Sequence, residues 1–180
     1  MTAIDVDGLR FQFDDTWTAL KWDEHAAYRH GLDGHGGTKA IDIFALRHQD
    51  ELWLFECGAA RTAAHRIAHR NARRTRDEPQ HGEFVSKVRD SVAAAVWAQG
   101  RQSSATELIR YLKAGFRGEK GKVHVVLWFE GLDLAELMAL EDWVRPQLKW
   151  LTPKVHILSA EVCARYPQKR LDGVSVSNAP

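Results

Sequence analysis

The segment from residue 39 to residue 58, KAIDIFALRHQDELWLFECG, constrains the fold more than any other part of the chain. Residues 40–47 and 52–57 are short runs rich in apolar, β-branched and aromatic side chains, and a polar stretch at 48–50 separates them. Two such runs joined by a short polar loop are typical of a β-hairpin. The sequence therefore predicts two antiparallel strands with one acid in each.

The register of this hairpin brings the two acids together. A loop centred on Gln49 places residue 42 opposite 56, 44 opposite 54, and 46 opposite 52. Asp42 then faces Glu56, with β-carbons about 4.5–5.5 Å apart. The second strand is apolar on both faces apart from Glu56, which indicates a central strand and a carboxylate away from open water.

Two carboxylates in that position either raise each other's pKa or share a cation, and magnesium prefers carboxylate oxygen. We therefore expect Asp42 and Glu56 to form a paired metal site. The alternative is that Glu56 lies at a frayed strand end and is paired with one of the many arginines.

Composition sets the outer limits. The 180 residues include 25 Lys and Arg against 24 Asp and Glu, and 44% are hydrophobic. This balance fits one globular domain spanning 1–180. We expect a cytoplasmic protein with no membrane partner, because no apolar run approaches about 18 residues and the first ten residues do not have a signal-peptide pattern. Cys57 and Cys163 lie outside any CxxC pattern and are expected to be reduced.

The chain before the hairpin has weaker signals. Leu9 to Phe13 alternates apolar and polar residues and is predicted to be an edge strand. Asp23 is expected to cap a short helix from Glu24 to about His30. Glu24 is then either an ordinary first-turn acid favoured by the helix dipole or an added carboxylate for the hairpin site.

The chain after residue 80 alternates helical and strand patterns. An amphipathic helix is predicted over 83–98, and a second helix from Ser103 or Ser104 through Lys113, ended by Gly115. A buried strand (Val123–Phe129), a helix (Asp133–Trp150) and a strand (Val155–Leu158) follow, and this spacing predicts a parallel crossover. The polar tail at 166–180 contains a candidate last edge strand at Val174–Val176.

A concentrated positive segment lies between these regions. From residue 61 to residue 76 there are two histidines, no acid and six arginines: Arg61, Arg66, Arg70, Arg73, Arg74 and Arg76. Such a basic arm beside two carboxylates is expected where a nucleic-acid backbone approaches a bound metal. The alternative is a solvated arm without a ligand.

The hairpin resembles the core of the PD-(D/E)xK nuclease superfamily, also called restriction-endonuclease-like. The matching residues are Asp42 and the run Glu56-Cys57-Gly58, and the resemblance covers roughly residues 9–130. It implies an α/β fold with a mixed central sheet flanked by helices. It also implies that the two acids hold Mg or Mn, that a lysine orients or activates the attacking water, and that Glu24 is a candidate extra acid.

The chain departs from that pattern at the lysine, because Gly58 occupies its position, and no proline precedes Asp42. Some members of the superfamily supply the lysine from the following helix, and Lys87 is the best-placed residue for that role; a surface lysine is the alternative. Lys39 is a poorer candidate because its parity along the strand is opposite to that of Asp42.

These observations lead to one hypothesis and one alternative. The hypothesis is a metal-dependent nuclease acting on DNA or RNA, with Asp42, Glu56 and Lys87 at its centre. The alternative is a nuclease-like domain that has lost its chemistry and serves as a binding or assembly module, which the glycine at position 58 favours. Nucleic acid is the expected partner, and a homodimer or a larger protein complex is compatible with either interpretation.

Overall fold

The computed structural model describes residues 1–29, 37–59, 81–99, 108–116 and 122–180. Within these ranges the chain forms two β-sheets and five α-helices, which confirms the predicted α/β class. The strands are β1 (Thr2–Val6), β2 (Leu9–Phe13), β3 (Trp17–Lys21), β4 (Ile43–Arg47), β5 (Glu51–Ala59), β6 (Val123–Glu130), β7 (Val155–Leu158) and β8 (Val174–Asn178). The helices are α1 (Ala26–Arg29), α2 (His81–Gln99), α3 (Leu108–Phe116), α4 (Leu134–Leu148) and α5 (Ala160–Arg165), with a 3-10 turn at Pro167–Lys169.

The larger sheet has five strands in the order β3-β4-β5-β6-β7. Its first three strands are antiparallel, and the predicted hairpin register is confirmed, with Phe44 opposite Leu54 and Leu46 opposite Leu52. β5 pairs with β6 in parallel, and so does β6 with β7, which confirms the crossover. The central strand β5 is buried on both faces from residue 52 to residue 57, as its continuous apolar sequence indicates.

The smaller sheet has the order β1-β2-β8. Leu9–Phe13 is therefore its central strand, and the prediction of an edge strand is wrong, because β1 pairs along one side of it and β8 along the other. Phe11 and Phe13 meet Phe55 of β5 with ring centroids 6.1 and 5.7 Å apart, and Phe11 also contacts Trp128 of β6. These aromatic contacts fix the small sheet against one face of the large one.

Helices α2 and α3 pack on the opposite face of the large sheet. Ser91 of α2 is buried and its Oγ accepts a hydrogen bond from the Ile41 amide at 2.9 Å, just before β4. Gly115 lies inside α3, so the predicted helix stop there is wrong. A β-carbon on Gly115 would lie 2.6 Å from Leu52 Cδ2, so the glycine permits close approach of helix and sheet.

Helix α4 and strand β8 lie where the sequence predicts them, with ends that differ by no more than two residues. α4 begins with a capping box in which Asp133 and Glu136 each accept from the other's backbone amide, as the predicted start of this helix requires. Cys57 and Cys163 are both free. In the described ranges no helix combines the length and the apolar character that crossing a membrane requires.

Candidate active site

The hairpin of β4 and β5 positions the two predicted carboxylates. Asp42 immediately precedes β4, and its amide donates to the Phe55 carbonyl at 3.1 Å. Its side-chain Oδ2 accepts a hydrogen bond from the Cys57 amide at 2.7 Å. The β4–β5 ladder ends at Ile43 opposite Phe55, one residue from Asp42 and from Glu56, and the charge of Asp42 acts on the pKa of Glu56.

Glu56 is buried, with 2% of its surface exposed. Its Oε1 accepts a hydrogen bond from Lys87 Nζ of α2 at 2.6 Å. Its Oε2 is also buried and has no hydrogen-bond partner among the described residues. A buried carboxylate oxygen without a donor is costly, so this atom is a candidate ligand for a cation.

The electrostatics of the cluster follow from one cation, Lys87, near the buried Glu56 and the half-buried Asp42. Burial, and then the neighbouring Asp42 charge, raise the pKa of Glu56 well above its ordinary value, although Lys87 opposes the shift. Burial raises the pKa of Asp42 to about 6 against the lowering effects of the Cys57 amide and Lys87. For Lys87, burial alone would lower the pKa, but the charge and hydrogen bond of Glu56 outweigh it and the pKa is raised. The lysine is therefore held as a cation, and the two acids favour protonation or a second cation.

Glu24 is not brought into this cluster. It precedes α1 rather than occupying its first turn, and its exposed carboxylate (52%) pairs with Lys21 Nζ at 2.8 Å. The predicted helix start is wrong because Asp23 and Glu24 belong to the turn between β3 and α1. This pairing lowers the pKa of Glu24, through the Lys21 hydrogen bond and charge.

Asp23 is the acid that the sequence reasoning missed. It is half-buried, its Oδ1 has no hydrogen-bond partner among the described residues, and burial raises its pKa. Its charge contributes to the raised pKa of Asp42, so the two side chains are electrostatically coupled. Asp23 and Glu24 are adjacent in the sequence, but Asp23 is half-buried whereas Glu24 is exposed and paired with Lys21.

Gly58 lies in β5 opposite Phe129 of β6. A β-carbon at this position would lie 2.3 Å from Phe129 Cε1, and the Phe129 ring is itself buried with its edge against Phe84, centroids 5.0 Å apart. No side chain, and therefore no lysine, fits at position 58 in this packing. The cation that contacts Glu56 is Lys87 of α2. From the sequence, this residue is the best candidate to replace the lysine missing at position 58.

Lys39 Nζ pairs with Glu83 of α2 at 2.9 Å rather than with Glu56. Residue 39 precedes β4, which begins at Ile43, so the alternation of side chains along a strand does not decide its direction. The six arginines of the basic segment and the two histidines between them fall in the range 60–80, outside the described residues. Their predicted contact with nucleic acid remains a prediction.

The donor set suits some metals better than others. In the described part of the chain, no group of three or more His, Cys, Asp and Glu side chains is placed to hold a metal ion. A closed structural zinc or calcium cage of side chains is therefore not seen there. Magnesium is commonly held by one or two carboxylates together with water and substrate phosphate, and Asp42 with the unpaired Oε2 of Glu56 fits that mode.

The chain was compared with protein-family models, with curated proteins and with solved structures. No family model, no curated protein and no solved structure matches it. The site therefore rests on its own geometry.

Proposed function

We propose that this chain is a metal-dependent nuclease that hydrolyses phosphodiester bonds in DNA or RNA. The observation that carries the proposal is the arrangement at Glu56: a buried carboxylate with one oxygen on Lys87 and the other without a partner among the described residues, beside Asp42. A structural ion pair alone would not need a second acid, Asp42, whose charge raises the pKa of Glu56.

Each residue has a distinct role in this proposal. Asp42 and Glu56 would hold Mg or Mn, and the bound ion would lower the pKa of a water molecule and stabilise the charge that develops on phosphate. The Cys57 amide fixes the orientation of the Asp42 carboxylate. Lys87 uses one of its three donors on Glu56 and retains others for a phosphate oxygen or the attacking water.

The test is cleavage of labelled single- and double-stranded DNA and RNA with magnesium or manganese. Asp42→Asn, Glu56→Gln and Lys87→Met should each reduce cleavage by about 100-fold or more, the order of effect seen when a charge-stabilising group is removed. Asp142→Asn, an exposed acid on α4, is the matched control and should cleave like the wild type. Cleavage that survives Asp42→Asn would be contamination and would remove the support for an enzyme.

Manganese binding separates loss of catalysis from loss of the site. Calorimetry should show binding by the wild type and much weaker binding by Glu56→Gln, because that variant removes a carboxylate ligand. Binding of manganese and nucleic acid by a wild-type protein that cleaves nothing would instead establish the inactive binding module. Absence of manganese binding would contradict the paired-carboxylate site itself.

A further inference from the structure

A second site lies where β3, β4 and β7 meet the segment that precedes β8. It is a pocket of about 250 Å³ whose walls include four cationic side chains, Arg47, Arg145, Lys169 and Arg170, and two carboxylates, Glu141 and Asp172. Tryptophan and histidine rings line the same cavity. Asp42, Glu56 and Lys87 do not contribute to its walls.

The pocket lies on the other face of the large sheet. On β4 and β5, side chains alternate between faces, so Arg47 and Trp53 leave from the face opposite to that of Asp42 and Glu56. The Trp17 ring, next to Trp53 on this face, forms part of the wall, with centroids 5.3 Å apart. A ligand here would therefore not touch the paired carboxylates.

The walls of the pocket carry more positive than negative charge. Four cations face two carboxylates, which leaves two positive charges without an acid in the wall. His156 adds no charge near neutrality, because burial, followed by the charges of Arg145 and Lys154, lowers its pKa. An excess of two positive charges in a concave site favours a doubly charged anion.

The arginines are already oriented. Arg47 Nη2 donates to Asp172 Oδ2 at 2.6 Å, its guanidinium lies 5.6 Å from the centre of the Trp17 ring, and its buried Nε has no hydrogen-bond partner among the described residues. Arg170 Nε donates to the Cys163 carbonyl at 2.9 Å. Asp172 is 87% exposed on its side chain, so the carboxylate that pairs with Arg47 lies at the mouth and is easily replaced by a ligand.

We infer that this pocket binds a phosphate monoester dianion. Such a group carries about two charges near neutrality and presents three acceptor oxygens, which matches the charge excess and the guanidinium donors. A phosphodiester within a nucleic-acid backbone carries one charge and is flanked on both sides, so it fits a concave pocket less well. The phosphate can belong to a small molecule or to the terminus of a nucleic-acid strand.

The experiment measures binding by calorimetry at fixed ionic strength, without divalent metal, using four probes. These are inorganic phosphate, a nucleoside monophosphate, and one short oligonucleotide with and without a 5′-phosphate. We expect the wild type to bind inorganic phosphate and the monophosphate. A preference for the phosphorylated oligonucleotide over its unphosphorylated form would identify a strand terminus as the source, and equal binding of the two would identify a small molecule.

The variant Lys169→Gln/Arg170→Gln should weaken phosphate binding by about tenfold or more, because it removes two charged donors from the wall. Both side chains are exposed, so the fold should be retained, and the unfolding midpoint checks this. Lys149→Gln, which removes an exposed cation outside the pocket, is the control for loss of a surface charge. Arg47→Lys keeps the charge but removes the guanidinium fork and should also bind more weakly.

The proposal is overturned if the wild type binds none of the probes, or if the double variant binds phosphate as tightly as Lys149→Gln. Asp42→Asn should leave phosphate binding unchanged. Failure of cleavage and failure of this pocket are thus separate results.

Discussion

Asp42 and Glu56 occupy positions that disfavour the charged form of each carboxylate. Burial is the largest cause of the raised pKa of each, and Lys87 is the cation that meets Glu56. Both side chains therefore cost folding free energy at neutral pH. Such a cost is expected where residues serve a site rather than the core.

This cost predicts an effect of Asp42→Asn on stability. The pKa of Asp42 is 3.8 when unfolded and about 6 when folded, so between those values the folded chain binds more protons and ionisation of Asp42 lowers the free energy of unfolding as the pH rises. At pH 7.5 without divalent cations, Asp42→Asn should unfold with a free energy up to about 3 kcal/mol higher than the wild type. The gain should disappear below about pH 4.

Urea denaturation at several pH values measures this, with Asp142→Asn as the control that should show no gain. Manganese should stabilise the wild type and leave Asp42→Asn nearly unchanged, since only the wild type keeps both carboxylates. Equal free energies of unfolding for wild type and Asp42→Asn at pH 7.5 would mean that the Asp42 carboxylate is hydrated and that burial does not destabilise its charged form.

At the scale of single elements, the packing of β5 on β6 explains the missing lysine. Gly58→Ala places a methyl group where the Phe129 ring lies, and overpacking of this kind costs about 1–3 kcal/mol. The double variant Gly58→Ala/Phe129→Leu should recover part of that stability, because the smaller side chain leaves room. A chemical denaturation series of the wild type, both single variants and the double variant measures the coupling.

No loss of stability in Gly58→Ala would show that Phe129 moves freely. The absence of a lysine at position 58 would then need another explanation.

The sequence predicted those elements whose pattern is local. The hairpin register followed from a short polar loop and two apolar runs, and the crossover followed from a strand, a helix and a strand in succession. The strands β1 and β3 were not predicted. In β1 the buried residues are Ile4 and Val6, a pattern of period two too short to stand out.

The candidate site was predicted only in part for the same reason. Glu56 and Lys87 lie in a strand and a helix whose sequence patterns are clear, so the faces they occupy could be predicted. The first strand of the hairpin begins at Ile43 rather than at residue 40 as predicted, so Asp42 lies just before it. Asp23 lies in a turn whose conformation depends on tertiary contacts. The pocket proposed to bind phosphate joins residues as distant as Trp17 and Asp172, which are 155 positions apart and linked by an indole-to-carbonyl hydrogen bond. No local pattern reports such a meeting.

At the scale of the whole molecule, charge is balanced overall and concentrated locally. The net charge is +1, so any affinity for nucleic acid must come from a region such as the arginine-rich segment. Replacing Arg70, Arg73 and Arg74 with glutamine should weaken binding to all sequences. It should also reduce the slope of log affinity against log salt by roughly 0.7–0.9 for each backbone phosphate that the variant no longer neutralises.

Fluorescence anisotropy over a range of salt concentrations measures that slope. Thermal unfolding should be unchanged in the triple variant. If the triple variant and the wild type bind with equal affinity at every salt concentration, the arginine-rich segment does not contact nucleic acid and is only a solvated arm.

The pairing of β8 with β2 also has a consequence for biosynthesis. Gln12 and Ser175 face each other in the ladder although 163 positions separate them. A ribosome adding about 5–20 residues per second needs roughly ten to thirty seconds to cover that interval. During that time one side of strand β2, which contains Phe11 and Phe13, is unpaired and exposed to chaperones and to neighbouring nascent chains.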